Sequence, residues 1–300
     1  MNTASPRGRE PAAIGVGLHV LGIGSGSKPE IVATVASEAD RLGFATLWCG
    51  EHVVMVDDSA SRYPYSADGK IAVPADADWL DPLLALTFAA AHSRRIALAT
   101  GILLLPEHNP LLVAKQAATI DVLSGGRFAL GVGIGWSAEE FAALGVPFAR
   151  RGARTSEYIA AIRAAWEQDV ASFRGEFTNF DRVRVNPRPV RGGHIPVIMG
   201  GTTDTALRRT ASVADGWYGF NVPADEIAGR IALLTDECEK AGRNARELRI
   251  AVSVPDAEPD LLPDLAAAGV TELSLVASPP AEPAAALQWV HDLAARWLTG

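Results

Sequence analysis

Short runs of strand-forming residues alternate with longer helical patterns along the chain, and this alternation limits the fold more than any other feature. Runs typical of strands are found at eight places: 14–19, 45–49, 96–101, 128–133, 197–199, 216–220, 249–254 and 272–276. Helical patterns follow them at 29–42, 81–92, 110–123, 154–168, 203–213, 224–241, 259–268 and 281–298. Eight strand–helix units predict an α/β protein with a (β/α)8 architecture, the TIM barrel.

The pattern is interrupted twice, and both interruptions are expected to be insertions in one domain that spans 14–300. The first, residues 53–79, follows the second strand and shows no periodicity, so it predicts either a functional lid or a disordered segment. The second, residues 172–186, is typical of a small hairpin placed before the fifth strand. Residues 1–13 have no apolar run typical of a secretion signal and are expected to form a flexible tail.

An open, doubly wound sheet is the competing architecture for alternating strands and helices. It would be favoured by a Gly-x-Gly-x-x-Gly turn after the first strand. Gly22, Gly24 and Gly26 are regularly spaced but lack the spacing of the third glycine in that motif. The barrel is therefore the stronger prediction.

Composition and charge exclude several classes of partner. The chain carries 27 Lys and Arg against 35 Asp and Glu, a net charge of −8, which argues against binding nucleic acid. The arginine pairs at 94–95, 150–151 and 208–209 are expected at solvated helix ends. The most apolar window, 83–105, has His92, Arg94 and Arg95 at its middle, so no membrane span is expected.

The two cysteines indicate a reducing compartment. Cys49 and Cys238 lie far apart in unlike contexts, which supports neither a disulfide framework nor a zinc site. We therefore expect a cytoplasmic protein.

Titratable residues stand where three of the predicted strands end. His19, the pair Glu51 and His52, and the pair His108 and Asn109 are at or just beyond the ends of strands one, two and three. A TIM barrel carries its active site at these carboxyl ends. A carboxylate beside a titratable imidazole supports proton transfer near neutral pH, so Glu51 and His52 are the catalytic candidates. The absence of His-x-His and His-Glu-x-x-His spacing argues against a metal site.

Glycines provide a second signal at the same edge. Gly131, Gly133 and Gly135 end the fourth strand, while Gly200, Gly201 and Thr202 follow the fifth and open a helix. Glycine allows the backbone to approach a flat ring or a phosphate closely, and free amides at a helix N-terminus bind anions. Together with Glu51 and His52, these positions predict a cofactor that carries an aromatic ring and a phosphate.

The stretch Thr100–Trp136 closely resembles the signature of the bacterial luciferase-like superfamily of flavin- and deazaflavin-dependent oxidoreductases. Pro196–Thr202 and Ala214–Trp217 are similar to its later landmarks. Gly175-Glu176-Phe177 resembles a feature of the actinobacterial branch that uses coenzyme F420.

The resemblance implies a TIM barrel whose flavin or deazaflavin ring packs on a bulge in strand three, with a non-proline cis peptide at Gly101–Ile102. It places the family's acidic residue and histidine on Glu51 and His52, and the remaining cofactor contacts on residues at the strand ends: Gly101, Ile102, Asn109, Gly131, Gly133, Gly135, Gly200, Gly201 and Thr202. Trp136 stands where sugar-phosphate dehydrogenases of the superfamily often have a catalytic Glu, which argues against a sugar-phosphate substrate.

Three functions are compatible with these features. The first is an F420-dependent oxidoreductase that passes a hydride between the deazaflavin and a small organic substrate, with His52 handling the proton. The second keeps the fold but binds FMN and works as a two-component monooxygenase. The third is an inactive barrel or a cofactor carrier, against which the intact Glu51, His52 and glycines speak. The resemblance is also compatible with a homodimer.

Overall fold

A computed structural model describes residues 14–298, and the predicted tail 1–13 lies outside the described residues. The strands are β1 (Gly15–Leu21), β2 (Thr46–Cys49), β3 (Ala97–Thr100), β4 (Leu103–Leu104), β5 (Phe128–Gly133), β6 (Ala171–Arg174), β7 (Asn179–Val183), β8 (Val197–Gly200), β9 (Gly216–Gly219), β10 (Arg249–Val252) and β11 (Glu272–Val276). The α-helices are α1 (Pro29–Leu42), α2 (Pro82–Ala91), α3 (Pro110–Ser124), α4 (Ala138–Ala143), α5 (Arg151–Glu167), α6 (Asp204–Val213), α7 (Ala224–Lys240), α8 (Leu262–Ala268) and α9 (Pro283–Trp297).

Nine parallel strands form one sheet in the order β3-β2-β1-β11-β10-β9-β8-β5-β4, and a further pairing of β3 with β5 closes it. β4 is a two-residue continuation of β3 beyond a cis peptide at Gly101–Ile102, so the closed barrel has eight strand positions. The predicted TIM barrel is confirmed. The predicted hairpin is the antiparallel pair β6–β7, which precedes the fifth strand of the barrel, β8.

Helix boundaries follow from local chemistry that the sequence displays. α1, α2 and α3 each begin with proline, whose missing N–H costs nothing in the first turn. The Asp81 carboxylate caps α2 by accepting from the amide of Leu84, 2.9 Å away. The window 83–105 is accordingly a helix, a turn and a strand, and no helix of the described chain is long and apolar enough to cross a bilayer.

Two separate cores hold the barrel together. The larger one lies between the strands and the surrounding helices, and a smaller cluster fills the barrel itself: Trp48, Ala99, Ala129, Ile198, Tyr218 and Ala251. The rings of Trp48 and Tyr218 stack with centroids 4.5 Å apart. Below them, at the amino ends of the strands, Glu272 accepts hydrogen bonds from Trp48 Nε1 at 2.7 Å and Thr46 Oγ1 at 2.9 Å. This buried layer closes one end of the barrel and leaves the carboxyl end for chemistry.

Candidate active site

A cavity of about 630 Å³ opens at the carboxyl ends of the strands. The segment 53–79, which we call the lid, forms part of its wall, so the first of the two expectations for this segment is the one the structure shows. Residues from the strand ends and from the lid and rim line the cavity. At the strand ends these include His19, Glu51, His52, Gly101, Ile102, Gly200 and Gly201, and in the lid and rim Tyr63, Tyr65, Lys70, Trp79, Trp136 and Phe220.

His52 is held in one orientation by Glu140 of α4. Its Nδ1 lies 2.8 Å from Glu140 Oε2, and because a carboxylate only accepts, Nδ1 carries the proton in this bond. The other carboxylate oxygen, Oε1, accepts from the amides of Val53 at 2.7 Å and Val54 at 3.2 Å. The two side chains are 7% and 1% exposed. This arrangement leaves Nε2 of His52 available at the cavity, the geometry of an oriented acid–base residue.

The adjacency of Glu51 and His52 in the sequence suggested that they form a pair, but Glu51 makes no hydrogen bond to His52 in the described chain. Successive residues at a strand end point in opposite directions, and Glu51 turns toward His108 Nε2, 3.1 Å away, and the amide of Leu104 at 2.5 Å. Burial opposes protonation of His108, but the hydrogen bond and charge of Glu51 raise its pKa above the ordinary value. Glu51 therefore holds β4 at its last residue, Leu104, and the partner of His52 is a residue that is distant in sequence.

A third carboxyl group, Glu107, lies between these two pairs. Burial and the nearby charges of Glu140 and Glu51 raise its pKa to about 9, so the group is protonated at neutral pH. Within residues 14–298 neither of its oxygens has a hydrogen-bond partner. No group of three or more histidine, cysteine and acidic residues in the described chain has the arrangement of a metal site.

His19 is a second imidazole at the cavity, and it is neutral. Burial lowers its pKa from 6.5 to about 4. Its Nδ1 lies 2.8 Å from the hydroxyl of Tyr218, which also donates to Ser274 Oγ at 3.4 Å. The ring lies against Gly50 and Gly101 at the base of the cavity. His19 thus offers hydrogen bonding there without a charge.

The predicted glycines shape the cavity in two ways. A Cβ on Gly131 would overlap the carbonyl oxygen of Thr100, and one on Gly133 would overlap the side chain of Ile102. These two positions therefore allow the β3–β4 bulge to lie against β5 and do not line the cavity themselves. Gly200 does line it, and its own Cβ would approach Ile102 Cδ1 to 3.0 Å.

Residues after β8 require one correction. Gly201 has a φ of +110°, and a Cβ there would come within 2.9 Å of the Ala206 Cβ. The sequence suggested that Thr202 opens the helix. The N-cap of α6 is instead Thr203, whose Oγ1 accepts a hydrogen bond from the amide of Ala206 at 3.2 Å. Thr202 lines a smaller adjoining pocket of about 350 Å³.

Two other candidates have structural roles in this arrangement. Asn109 is exposed and caps α3, its Oδ1 accepting from the amides of Leu111 at 3.0 Å and Leu112 at 3.2 Å. Gly135 has a φ of +73° and lies against Phe141, beside the cavity residue Trp136.

The expectation that the arginine pairs lie at solvated helix ends is wrong for Arg151 and Arg209, which are partly buried. Arg151 stacks on Phe148 with its Cζ 3.8 Å from the ring centre, and its Nε donates to the carbonyl of Gly135 at 3.0 Å. Burial and the charge of Arg151 lower the pKa of Arg209, whose guanidinium lies against Gly152 in the first turn of α5. Among residues 14–298 no carboxylate forms an ion pair with either guanidinium.

The lid is fixed to α4 by a second glutamate. Glu139 accepts from Ser59 Oγ at 2.9 Å and from the amides of Ala60 and Ser61 at 2.9 and 3.1 Å. At the far side of the cavity, Asn221 Nδ2 donates to the carbonyl of Tyr65 at 3.0 Å. α4 therefore connects the lid and His52 through adjacent residues.

Sequence reasoning missed Glu140, Arg151, Arg209 and Tyr218. The available signal for Glu140 was its place next to Glu139 in the first turn of a short helix after the fourth barrel strand. Arg151 and Arg209 carried no local signal, since a partly buried arginine and a surface arginine have the same sequence context. Tyr218 lies within a predicted strand, and its contact with His19 joins residues 199 positions apart.

A closed parallel barrel with an oriented acid–base pair in a cavity at its carboxyl edge defines a TIM-barrel enzyme. The chain belongs to the luciferase-like monooxygenase family, whose model matches residues 16–257. Members of this family are oxidoreductases and monooxygenases. The resemblance that was stated from the sequence is thus confirmed.

Similar proteins include members with different cofactors. An uncharacterized protein of Mycobacterium tuberculosis is 36% identical over 266 residues, which cover 88% of this chain and 93% of that protein. An FMNH2-dependent dimethylsulfone monooxygenase of Pseudomonas putida is 36% identical over 148 residues, 48% of this chain and 40% of that protein. The coenzyme F420-dependent tetrahydromethanopterin reductase of Methanopyrus kandleri superposes with a TM-score of 0.74 at 17% identity, covering 96% of this chain and 99% of the other. At that identity the likeness shows the fold alone.

Proposed function

We propose that this protein is an F420-dependent oxidoreductase that transfers a hydride between the deazaflavin and a small organic substrate. The observation that carries the proposal is His52, which lines the cavity while Glu140 holds its Nδ1 at 2.8 Å. When bound, the deazaflavin supplies or accepts the hydride. The preference for F420 over FMN is supported by the resemblance of Gly175-Glu176-Phe177 to the F420-using branch.

The residues present suit a ring with an attached phosphate. Gly101, Ile102 and Gly200 give the cavity a bed without charged groups, which suits a flat ring. Gly131 and Gly133 support that bed from behind by making room for the bulge.

We propose the phosphate side at Gly200, Gly201 and Thr202. The Arg151 and Arg209 guanidiniums, which no carboxylate of the described chain neutralises, would add positive charge toward it. Gly135 would contribute by orienting Arg151 through its carbonyl. For Asn109 the cap of α3 is the supported role, and any contact with the cofactor would come from its remaining amide N–H.

Each ionisable group near the cavity then has a distinct task. His52 gives or takes a proton at Nε2, and Glu140 keeps the ring in place. Glu51 acts at one remove, because it fixes the amide of Leu104 and pairs with His108. The lid presents Ile71, Ala72 and Val73 to the cavity, and these apolar side chains exclude water from the reacting atoms.

The test is replacement of His52 by Gln. We expect the rate of a single-turnover reaction of reduced F420 with any accepted carbonyl compound to fall by about two orders of magnitude, because general acid–base help is typically worth that much. The affinity for F420 should stay within a few-fold. His92→Gln, a change at an exposed residue beyond α2, is the matched control and should leave the rate unchanged. An unaltered rate in the His52 variant at saturating cofactor would remove His52 from the mechanism.

FMN-dependent monooxygenation is the second candidate. It is favoured by the 36% identity, over 148 residues, to the FMNH2-dependent dimethylsulfone monooxygenase. Reduced flavin reacts readily with dioxygen, whereas the deazaflavin does not. Oxygen consumption with reduced FMN and a substrate, and none with reduced F420, would support this candidate and contradict ours.

A homodimer is part of the proposal. Large apolar side chains remain exposed on the neighbouring helices α2 and α3: Leu84, Phe88, Leu112 and Leu123. Exposed large apolar side chains on neighbouring helices are typical of interaction sites. Light scattering should give twice the mass of the chain, and Leu84→Glu with Leu123→Glu should shift it toward the monomer; a monomeric wild type would contradict the expectation.

A further inference from the structure

Six rings follow one another around the wall of the cavity, and we call them the aromatic belt: Trp79, His52, Trp136, Tyr63, Tyr65 and Phe220. Consecutive rings meet edge to face, with centroids 4.8 to 5.7 Å apart. The belt joins three separate parts of the chain: the end of β2 with the lid that follows it, the segment after β5, and the segment after β9. Such contacts favour binding of another flat ring, which finds both faces and edges to pack against.

The ionisable groups at the strand ends already have partners within the protein. Glu51 is paired with His108, and His52 is paired with Glu140. His19 is neutral. Lys70 is the remaining cation among the described lining residues, and it is exposed on the lid. An ionic substrate would lose its hydration here without gaining a buried partner of opposite charge, which disfavours it strongly.

Two hydroxyl groups of the belt are unused. Among the hydrogen bonds of residues 14–298 there is none to the hydroxyl of Tyr63 or of Tyr65. Burial raises the pKa of both phenols, so each remains a neutral donor. A hydroxyl that lies at the cavity wall without a protein partner is free to donate to an acceptor on a bound ligand.

We propose, on the basis of the function above, that the cavity selects an uncharged, flat and largely apolar carbonyl compound, such as an aryl or conjugated ketone. The compound packs its ring against the aromatic belt and accepts a hydrogen bond at its oxygen from the lid tyrosines Tyr63 and Tyr65. Because this recognition uses only the protein's own side chains, it operates whichever cofactor the barrel binds.

Three probes of similar size separate the contributions, and their binding to the protein without added cofactor can be measured by ligand-observed NMR. Acetophenone has the ring and the acceptor, ethylbenzene has only the ring, and benzoate has the ring and a charge. We expect acetophenone to bind about fivefold more tightly than ethylbenzene, the contribution of one ordinary hydrogen bond. Benzoate should bind about tenfold or more weakly than acetophenone.

The double variant with Tyr63→Phe and Tyr65→Phe keeps the belt and removes both hydroxyls. It should bind acetophenone only as tightly as ethylbenzene and leave ethylbenzene unaffected. Tyr158→Phe, on α5 and outside the cavity lining, is the matched control and should change nothing.

Benzoate binding most tightly, with its affinity lost in Lys70→Met, would overturn the proposal in favour of an anionic substrate. Unchanged acetophenone affinity in the double variant would also overturn the proposal. The same holds if the double variant changes the affinity for F420 but not the affinity for acetophenone. Because no cofactor is present in the main measurement, these outcomes are distinct from failure of the F420 assignment.

Discussion

Burial of His19 predicts a specific dependence of stability on pH. The folded pKa of about 4 lies below the 6.5 of an exposed imidazole, so the folded state resists the protonation that the unfolded chain accepts. The stability that depends on neutral His19 is therefore fully present above pH 6.5 and is lost as the pH falls toward 4. At about 1.4 kcal/mol for each pKa unit, the loss over that window amounts to about 3 kcal/mol.

Replacement of His19 by Asn tests this magnitude. The shorter amide can place a polar atom near Nδ1 and so retain a hydrogen bond to Tyr218, but it does not titrate. Urea unfolding of both proteins at pH 7.5 and pH 4.5, at one protein concentration, gives the loss for each. The wild type should lose about 2 to 3 kcal/mol more than the variant.

His92→Asn serves as the control, since His92 is exposed, and its loss should match that of the wild type. The reasoning is refuted if His19→Asn and the wild type lose the same stability over this interval. That result would mean that water or a conformational change solvates the protonated ring in the folded state.

Five further substitutions, in three tests, probe other groups at the carboxyl ends of the strands. Glu107→Gln should stabilise the protein more at pH 8 than at pH 5. The pKa of Glu107 in the folded state is raised to about 9, so the contribution of its protonated form to the stability of the fold is lost as the pH rises from 4.5 toward 9. Equal effects on thermal unfolding at the two pH values would contradict this. Glu140→Gln should slow hydride transfer and speed tryptic cleavage after Arg62 and Lys70 of the lid. The reason is that the variant loses the negative charge that holds His52 and the amides of Val53 and Val54. A slower reaction with unchanged cleavage would mean that Glu140 positions the histidine but does not hold the lid. Thr203→Ala should lower the free energy of unfolding by about 1 kcal/mol, and Thr202→Ala should not. Equal losses of stability in the two threonine variants would contradict the assignment of Thr203 as the N-cap. Gly201→Val should weaken cofactor binding.

The barrel could be predicted because its signals are local and repeat eight times. Pro29 and Gly43 mark the ends of α1 in the sequence itself, and the buried strands read as continuous apolar runs. The position of the catalytic edge also followed, since it depends only on where each strand ends. His19, Glu51 and His52 were found in this way.

The pairing of the side chains could not be predicted, because it depends on contacts between residues far apart in the chain. Glu51 and His52 are adjacent, and only the three-dimensional strand ends show that one faces His108 and the other Glu140, 88 positions away. Arg151 and Arg209 are similar cases, since burial comes from Phe148 and from the approach of α6 to α5. The predicted N-cap of α6 was wrong by one residue, because threonine is an equally good cap at position 202 and at position 203.

The proposed function depends on which cofactor the barrel binds, and equilibrium titration measures this directly. Quenching of the fluorescence of the seven tryptophans by F420 and by FMN, under the same conditions, gives both dissociation constants. We predict a micromolar or tighter constant for F420 and at least tenfold weaker binding of FMN, a difference of about 1.4 kcal/mol. Equal or tighter binding of FMN would contradict it and would move the function to flavin-dependent monooxygenation.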